Sequence, residues 1–251
     1  MRVKSVVWGR AGSAAGYTTG TTPTVPRPCR TSPTTCAVVV WGLVLWCVFC
    51  GPWPAAASDY TVSCIGDSIT ENKYPPMLKE LLDEGTGQSW RVIDHGLGGY
   101  QTFHIRDAVA EGAWWNEHPH YVLILAGAND GVHDKDYTKS AAAMQDIVNY
   151  MRRSGGKIIV SAMLPSLDGR ITDWAKKFNQ RVKDTVSGID YFMESNWDDF
   201  YEAEGNHALP ALMDDYLHPN QEGYHLIAEN FYRVIHSVWA DPFQAKDDPY
   251  Q

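Results

Sequence analysis

Five short apolar runs punctuate the chain, at residues 60–65, 90–93, 121–126, 157–163 and 189–193. None alternates strictly between apolar and polar positions. Strands of that kind suit a parallel sheet covered on both faces. Between them lie longer stretches with helical spacing, near residues 75–83, 105–115, 137–153 and 172–186. Pro75 and Pro76 suit a first helical turn, and Gly155-Gly156 suits a helix end. A last helix is expected from about Asn220, with Ile227, Phe231, Val234, Ile235 and Val238 forming a core-facing stripe. Alternation of strand and helix throughout predicts one domain of class α/β: a three-layer α/β/α fold around a mostly parallel five-stranded sheet.

The first residues break this pattern. Residues 1–57 hold Arg2, Lys4, Arg10, Arg27 and Arg30 and no acidic residue. Residues 37–50 then run uncharged for 14 positions, followed by Gly-Pro-Trp-Pro and Ala55-Ala56-Ala57. A basic region, a short apolar core and an A-x-A exit read as a secretory signal peptide with a long basic part. Fourteen residues are few for a membrane span, which needs about 20. Cleavage after Ala57 is expected, leaving a secreted domain over residues 58–251; an uncleaved signal anchor is the alternative. The whole chain carries a formal charge of −9, and losing only cations makes the remainder more acidic. Such a chain is poorly suited to nucleic acid or to anionic membrane surfaces. Of five cysteines, only Cys64 lies beyond the expected signal, so no internal disulfide is available to the remainder. A strand cysteine is more commonly a buried apolar residue than a nucleophile.

Candidate chemistry sits where the apolar runs end. Gly66-Asp67-Ser68-Ile69-Thr70 closes the first run, and the residues after it can start a helix. Open α/β sheets carry their sites at the carboxyl ends of strands. A serine there is either a nucleophile awaiting a base or a plain turn or cap residue. It is not a G-x-S-x-G elbow, because Thr70 stands in place of the second glycine. Asp94-His-Gly-Leu-Gly-Gly-Tyr-Gln-Thr102 follows the second run, and Leu125-Ala-Gly-Ala-Asn129-Asp130 ends the third. Near the C-terminus stands Asp214-Asp215-Tyr-Leu-His218-Pro219-Asn220.

These four blocks, in this order, resemble the SGNH hydrolases, the GDSL esterase and lipase family, over roughly residues 60–239. The resemblance implies a flavodoxin-like fold, with Ser68 as nucleophile and Asp215 and His218 completing a triad. It also implies an oxyanion hole from the N–H groups of Ser68 and Gly99 and the amide of Asn129. Asp94 replaces the asparagine usual in the second block, and Gly98 adjoins Gly99. Gly99 is preferred because it lies three residues after Gly96. Asp130 and His133 repeat the Asp-x-x-His spacing. The later pair is preferred because Pro219 keeps His218 out of a helix, and Asn220 can cap the next one.

The implied reaction is hydrolysis of carboxylic esters through an acyl-enzyme, with no cofactor and no metal. Short acyl chains, acetyl groups on carbohydrate among them, are the expected substrates. A long polar connection over residues 194–214 leads into Asp215 and lacks runs of Leu, Ile and Val. The alternatives are a lysophospholipase or lipase, an acyltransferase with the same triad, and a non-catalytic domain binding a sugar or nucleotide. No G-x-G-x-x-G follows the first run. His118-Pro-His120 could chelate a metal, but a pre-strand loop is the simpler reading. Trp114-Trp115 fits helix-end packing at least as well as a ligand wall.

Overall fold

The computed structural model describes residues 60–238. The expected signal segment, residues 1–57, lies outside them. Five strands form one sheet: β1 Tyr60–Gly66, β2 Trp90–Gly96, β3 Tyr121–Leu125, β4 Lys157–Ser161 and β5 Tyr191–Met193. Their order is β2-β1-β3-β4-β5, and every pairing is parallel. β3 is buried at all five positions, as a central strand covered on both faces must be.

The main helices are α1 Tyr74–Thr86, α2 Thr102–Gly112, α4 Tyr137–Met151, α5 Gly169–Thr185 and α7 Gln221–Val238. Two short ones, α3 Ala128–Val132 and α6 Ser195–Asp198, were not legible as periodic segments. α1 packs against α7, while α4 packs against both α2 and α5, giving helical layers on the sheet. Ile227, Phe231, Val234 and Ile235 of α7 are all buried, as the stripe predicted.

Three boundaries differ from expectation for identifiable reasons. β4 ends at Ser161 because the Asn179 side chain takes both backbone groups of Met163, at 2.8 and 2.9 Å. α2 starts early, at Thr102, where Gln101 and His104 form a reciprocal cap. It stops before Trp114, because the chain reverses at Ala113 with φ of 48°. Trp114 then stacks on His95 with ring centres 4.0 Å apart, and Trp115 stacks on Tyr150. Helix-end packing is therefore what the two tryptophans do.

The connection over residues 194–214 is not irregular. It holds α6, a small antiparallel hairpin (β6 Tyr201–Glu202, β7 His207–Ala208) and a 3₁₀ turn at Pro210–Leu212. Buried Asn196 fastens it, donating to Ser161 Oγ at 3.0 Å and accepting from Asn230 at 2.9 Å. Among the described residues no helix is long and apolar enough to cross a membrane.

Candidate active site

The strand order places β1 between β2 and β3, and the connection leaving β1 runs to one side, to β2, while that leaving β3 runs to the other, to β4. Ligand sites of open α/β sheets lie in the crevice at such a point. In register, Gly66 faces Gly96 on one side and Leu125 on the other. The three loops that leave this level carry Ser68, Gly99 and Asn129. Parallel pairing thus brings together residues about 30 positions apart in sequence, and α7's entrance brings the fourth block onto the same edge.

Gly66 must be glycine here: an added Cβ would lie 2.1 Å from Thr70 Oγ1 and 2.3 Å from Leu125 O. The chain folds tightly back on itself after it. Thr70 and Glu71 both donate to Asp67 O at 3.0 Å, and Ile69 N donates to Asp67 Oδ1 at 3.0 Å. These turns fill the stretch between Ser68 and the helix expected near residues 75–83. The helix starts only at Tyr74, so its positive end is not at the serine. Half-buried Ser68 is left at the apex of the turn.

Ser68 Oγ lies 2.9 Å from His218 Nε2, and His218 Nδ1 lies 2.8 Å from Asp215 Oδ2. Asp215 Oδ1 accepts from the backbone N–H of both Leu217 and His218 at 2.7 Å, fixing the carboxylate to its own loop. Partial burial acts to raise the Asp215 pKa. The bonds from His218 and Leu217 outweigh it and hold the carboxyl below the ordinary range. It stays ionised, so the imidazole proton belongs on Nδ1 and Nε2 is free to accept from the serine.

The loop's frame is also local. Met213 and Pro219 form a bridge, and Asn220 Oδ1 accepts from Gly223 N at 3.0 Å, capping α7 as anticipated. Buried Leu217 pins the segment to the core. The rival pair is split. Asp130 is buried and turned toward other partners, while His133 is exposed at the end of α3.

Gly99 sits in a turn closed by Tyr100 N donating to Leu97 O at 3.1 Å, with φ of +78°. Glycine reaches that conformation without strain. Gly98 serves differently, since an added Cβ would come within 2.5 Å of Glu71 Oε2. Asp94, in place of the usual asparagine, ties the second block to the first. Its carboxylate accepts from Gly96 N at 2.8 Å and from Asn72 N at 2.6 Å. Asn129 Nδ2 donates to Tyr100 O at 3.0 Å, which orients the amide and leaves its second N–H available.

Sequence reading missed two buried carboxylates. Asp130, noted there only for its spacing to His133, accepts from Thr102 N and Thr102 Oγ1, both at 2.8 Å, and from Ser140 Oγ at 2.5 Å. It therefore locks the loop of Asn129 to the start of α2, just beyond Gly99 and Tyr100. Asp67 joins the turn of Ser68 to the same loop through the N–H groups of Ile69 and Ala128. Burial raises its pKa to about 6 despite those two bonds; Asp130 adds to the rise and His218 opposes it. The only local signal for either was its position beside a candidate site residue.

Other candidates have structural roles. Burial pushes the Cys64 thiol far up, so it supplies no thiolate at neutral pH. His120 Nδ1 accepts from Thr61 N at 3.0 Å, bracing the start of β1.

Residues 64–226 match the GDSL-like lipase/acylhydrolase family. No protein of curated function matches the chain. Among solved structures, a catalytic mutant of an acetylxylan esterase from Geobacillus stearothermophilus superposes with a TM-score of 0.61 at 20% identity, covering 71% of this chain and 95% of the other. A carbohydrate esterase family 3 protein from Talaromyces cellulolyticus gives 0.54 at 19% identity, covering 71% and 97%. At these identities the likeness is one of fold.

Proposed function

From the premise that this chain belongs to the GDSL-like lipase/acylhydrolase family and is a carboxylic ester hydrolase, we propose that Ser68, His218 and Asp215 are its catalytic triad. The observation that carries this is the continuous relay from Ser68 Oγ through His218 to Asp215, at 2.9 and 2.8 Å. His218 Nε2 accepts the hydroxyl proton as Ser68 Oγ bonds to the ester carbonyl carbon. The carbonyl π electrons move onto oxygen. That oxyanion is held by the N–H groups of Ser68 and Gly99 and the free N–H of the Asn129 amide. The tetrahedral species collapses, His218 gives its proton to the departing alkoxide, and the acyl-enzyme remains. Water then attacks with His218 again as base, releasing the acid and restoring the serine. Asp215 keeps the imidazole in the required tautomer and balances its charge as it is protonated.

The substrates we assign are esters of short acyl groups, acetyl on carbohydrate in particular. Support comes from the acetylxylan and carbohydrate esterases that share the fold, and from the polar character of the connection over residues 194–214. Export with cleavage after Ala57 completes the assignment, and an intact mass beginning at Ser58 would test it. The lipolytic reading is separable on a p-nitrophenyl ester series. A lipid-binding pocket gains up to about 0.8 kcal/mol per buried methylene. For this enzyme kcat/KM should peak at acetate or butyrate and fall steeply by octanoate. A rise through decanoate rejects the short-acyl assignment. The triad itself is tested by Ser68→Ala, which should remain folded by circular dichroism and lose about 10⁶ in kcat. Near-normal turnover in that variant rejects it.

A further inference from the structure

Large apolar side chains seldom stand far out of a folded surface in one place unless something covers them. Among the described residues, the exposed ones are Tyr100 at 42%, Phe103 at 38% and Tyr216 at 51%. Tyr100 lies in the loop of Gly99, Phe103 in the first turn of α2 and Tyr216 in the Asp215–His218 loop. Tyr100 follows Gly99, and its carbonyl accepts the Asn129 amide. Its ring lies 5.4 Å from that of His104, which lies 3.9 Å from that of Phe103, so the start of α2 carries one aromatic patch. Tyr216 lies within the Asp215–His218 loop, and its backbone is held by Leu167 N at 2.9 Å and Ser166 Oγ at 2.5 Å. One set of rings thus adjoins the oxyanion loop and the other adjoins the histidine loop.

The chemistry of the rim is selective. No Leu, Ile, Val or Met is among these exposed large hydrophobics, so nothing here resembles an aliphatic wall for an acyl chain. Aromatic faces carry partial negative charge. The axial C–H groups of a pyranose carry partial positive charge, so a sugar ring lies flat on such a face. Its equatorial hydroxyls then point sideways, toward acceptors. Exposed Glu71, whose carboxylate reaches Gly98 in the same loop as Tyr100, and exposed Asp214, two residues before Tyr216, are such acceptors.

We infer that Tyr100 with Phe103 on the side of the Gly99 loop, and Tyr216 on the side of the His218 loop, form a stacking platform for the sugar ring of the ester's alcohol part. The acyl group then points toward Ser68. This rests on the carbohydrate-ester reading above and adds the residues that would select for it.

The test compares acetate release from acetylated xylobiose and from ethyl acetate, which has no ring, using the full chain. The selectivity is the ratio of the two kcat/KM values. Tyr100→Leu, Phe103→Leu and Tyr216→Leu keep apolar area but remove the face. Each of the tyrosine changes should lower the selectivity about tenfold, mainly through KM for the sugar ester. Tyr100→Phe and Tyr216→Phe keep the face and should hold it within about threefold. Leucine variants that retain wild-type selectivity overturn the platform while leaving the carbohydrate reading standing. So do phenylalanine variants that lose as much as leucine. A wild type with no preference for acetylated xylobiose rejects the carbohydrate reading itself.

Discussion

Asp67 gives the sharpest quantitative expectation, because its environment sets both the size and the pH range of an effect on stability. The carboxyl is fully buried, and burial raises its pKa from 3.8 to about 6. A proton is therefore held more tightly in the folded chain than in the unfolded one. That difference favours folding fully below about pH 3.8, and the benefit is lost as pH rises through about 6. A shift of about two units corresponds to about 3 kcal/mol, most of it lost between pH 4 and 6. Asp67→Asn removes the ionisation but keeps an oxygen able to accept from Ile69 and Ala128. Whatever constant difference the amide introduces, the stability of the variant minus that of wild type should climb by about 2–3 kcal/mol from pH 4 to pH 8. Urea unfolding of both proteins at half-unit pH intervals measures it. His218 opposes the Asp67 shift and could itself contribute to the curve, so the same series in a Ser68→Ala background with His218→Gln isolates the carboxyl. A difference that stays flat across this range refutes the argument that Asp67 is buried at an electrostatic cost.

Two further outcomes distinguish the groups around the serine. His218→Ala should reduce kcat nearly as far as loss of Ser68, about 10⁶, whereas His133→Ala should leave it within a few-fold, since His133 is exposed at the end of α3; p-nitrophenyl acetate turnover decides, and a severe His133 defect would transfer the triad to the other pair. Asp130→Ala should destabilise the fold by about 3 kcal/mol, because it strands the buried N–H of Thr102 and two hydroxyls. It should also lower kcat about tenfold or more with little change in KM, as Asn129 and Gly99 lose their common brace; wild-type kcat in a folded variant would show that the brace is not needed.

Much of this architecture could be read from the chain because the determinants are local. The apolar run of β3 has no polar position, which only a strand buried on both faces tolerates, and its neighbour Gly127 marks its end. Strand ends predicted from such runs carry Ser68, Gly99 and Asn129 to one sheet edge with no knowledge of contacts. Asp215 and His218 are likewise close in sequence, and Pro219 and Asn220 already set their loop. The acidic residues were the hard part. Asp130 looks like a turn residue because its donors come from Thr102, 28 positions earlier, and Ser140, 10 positions later. Asp67 reads as the middle of a motif, yet its side chain is buried and accepts the Ile69 N–H, holding the turn that carries Ser68. The tryptophans and the hairpin of residues 194–214 share this origin, since each is placed by a partner remote in sequence. A carboxylate has no periodic signature, and what it does depends on which donors the fold delivers to it. The four blocks therefore show where the proposed site residues stand, while the buried acids that keep their loops in register become visible only once α2, α3 and α4 are packed together.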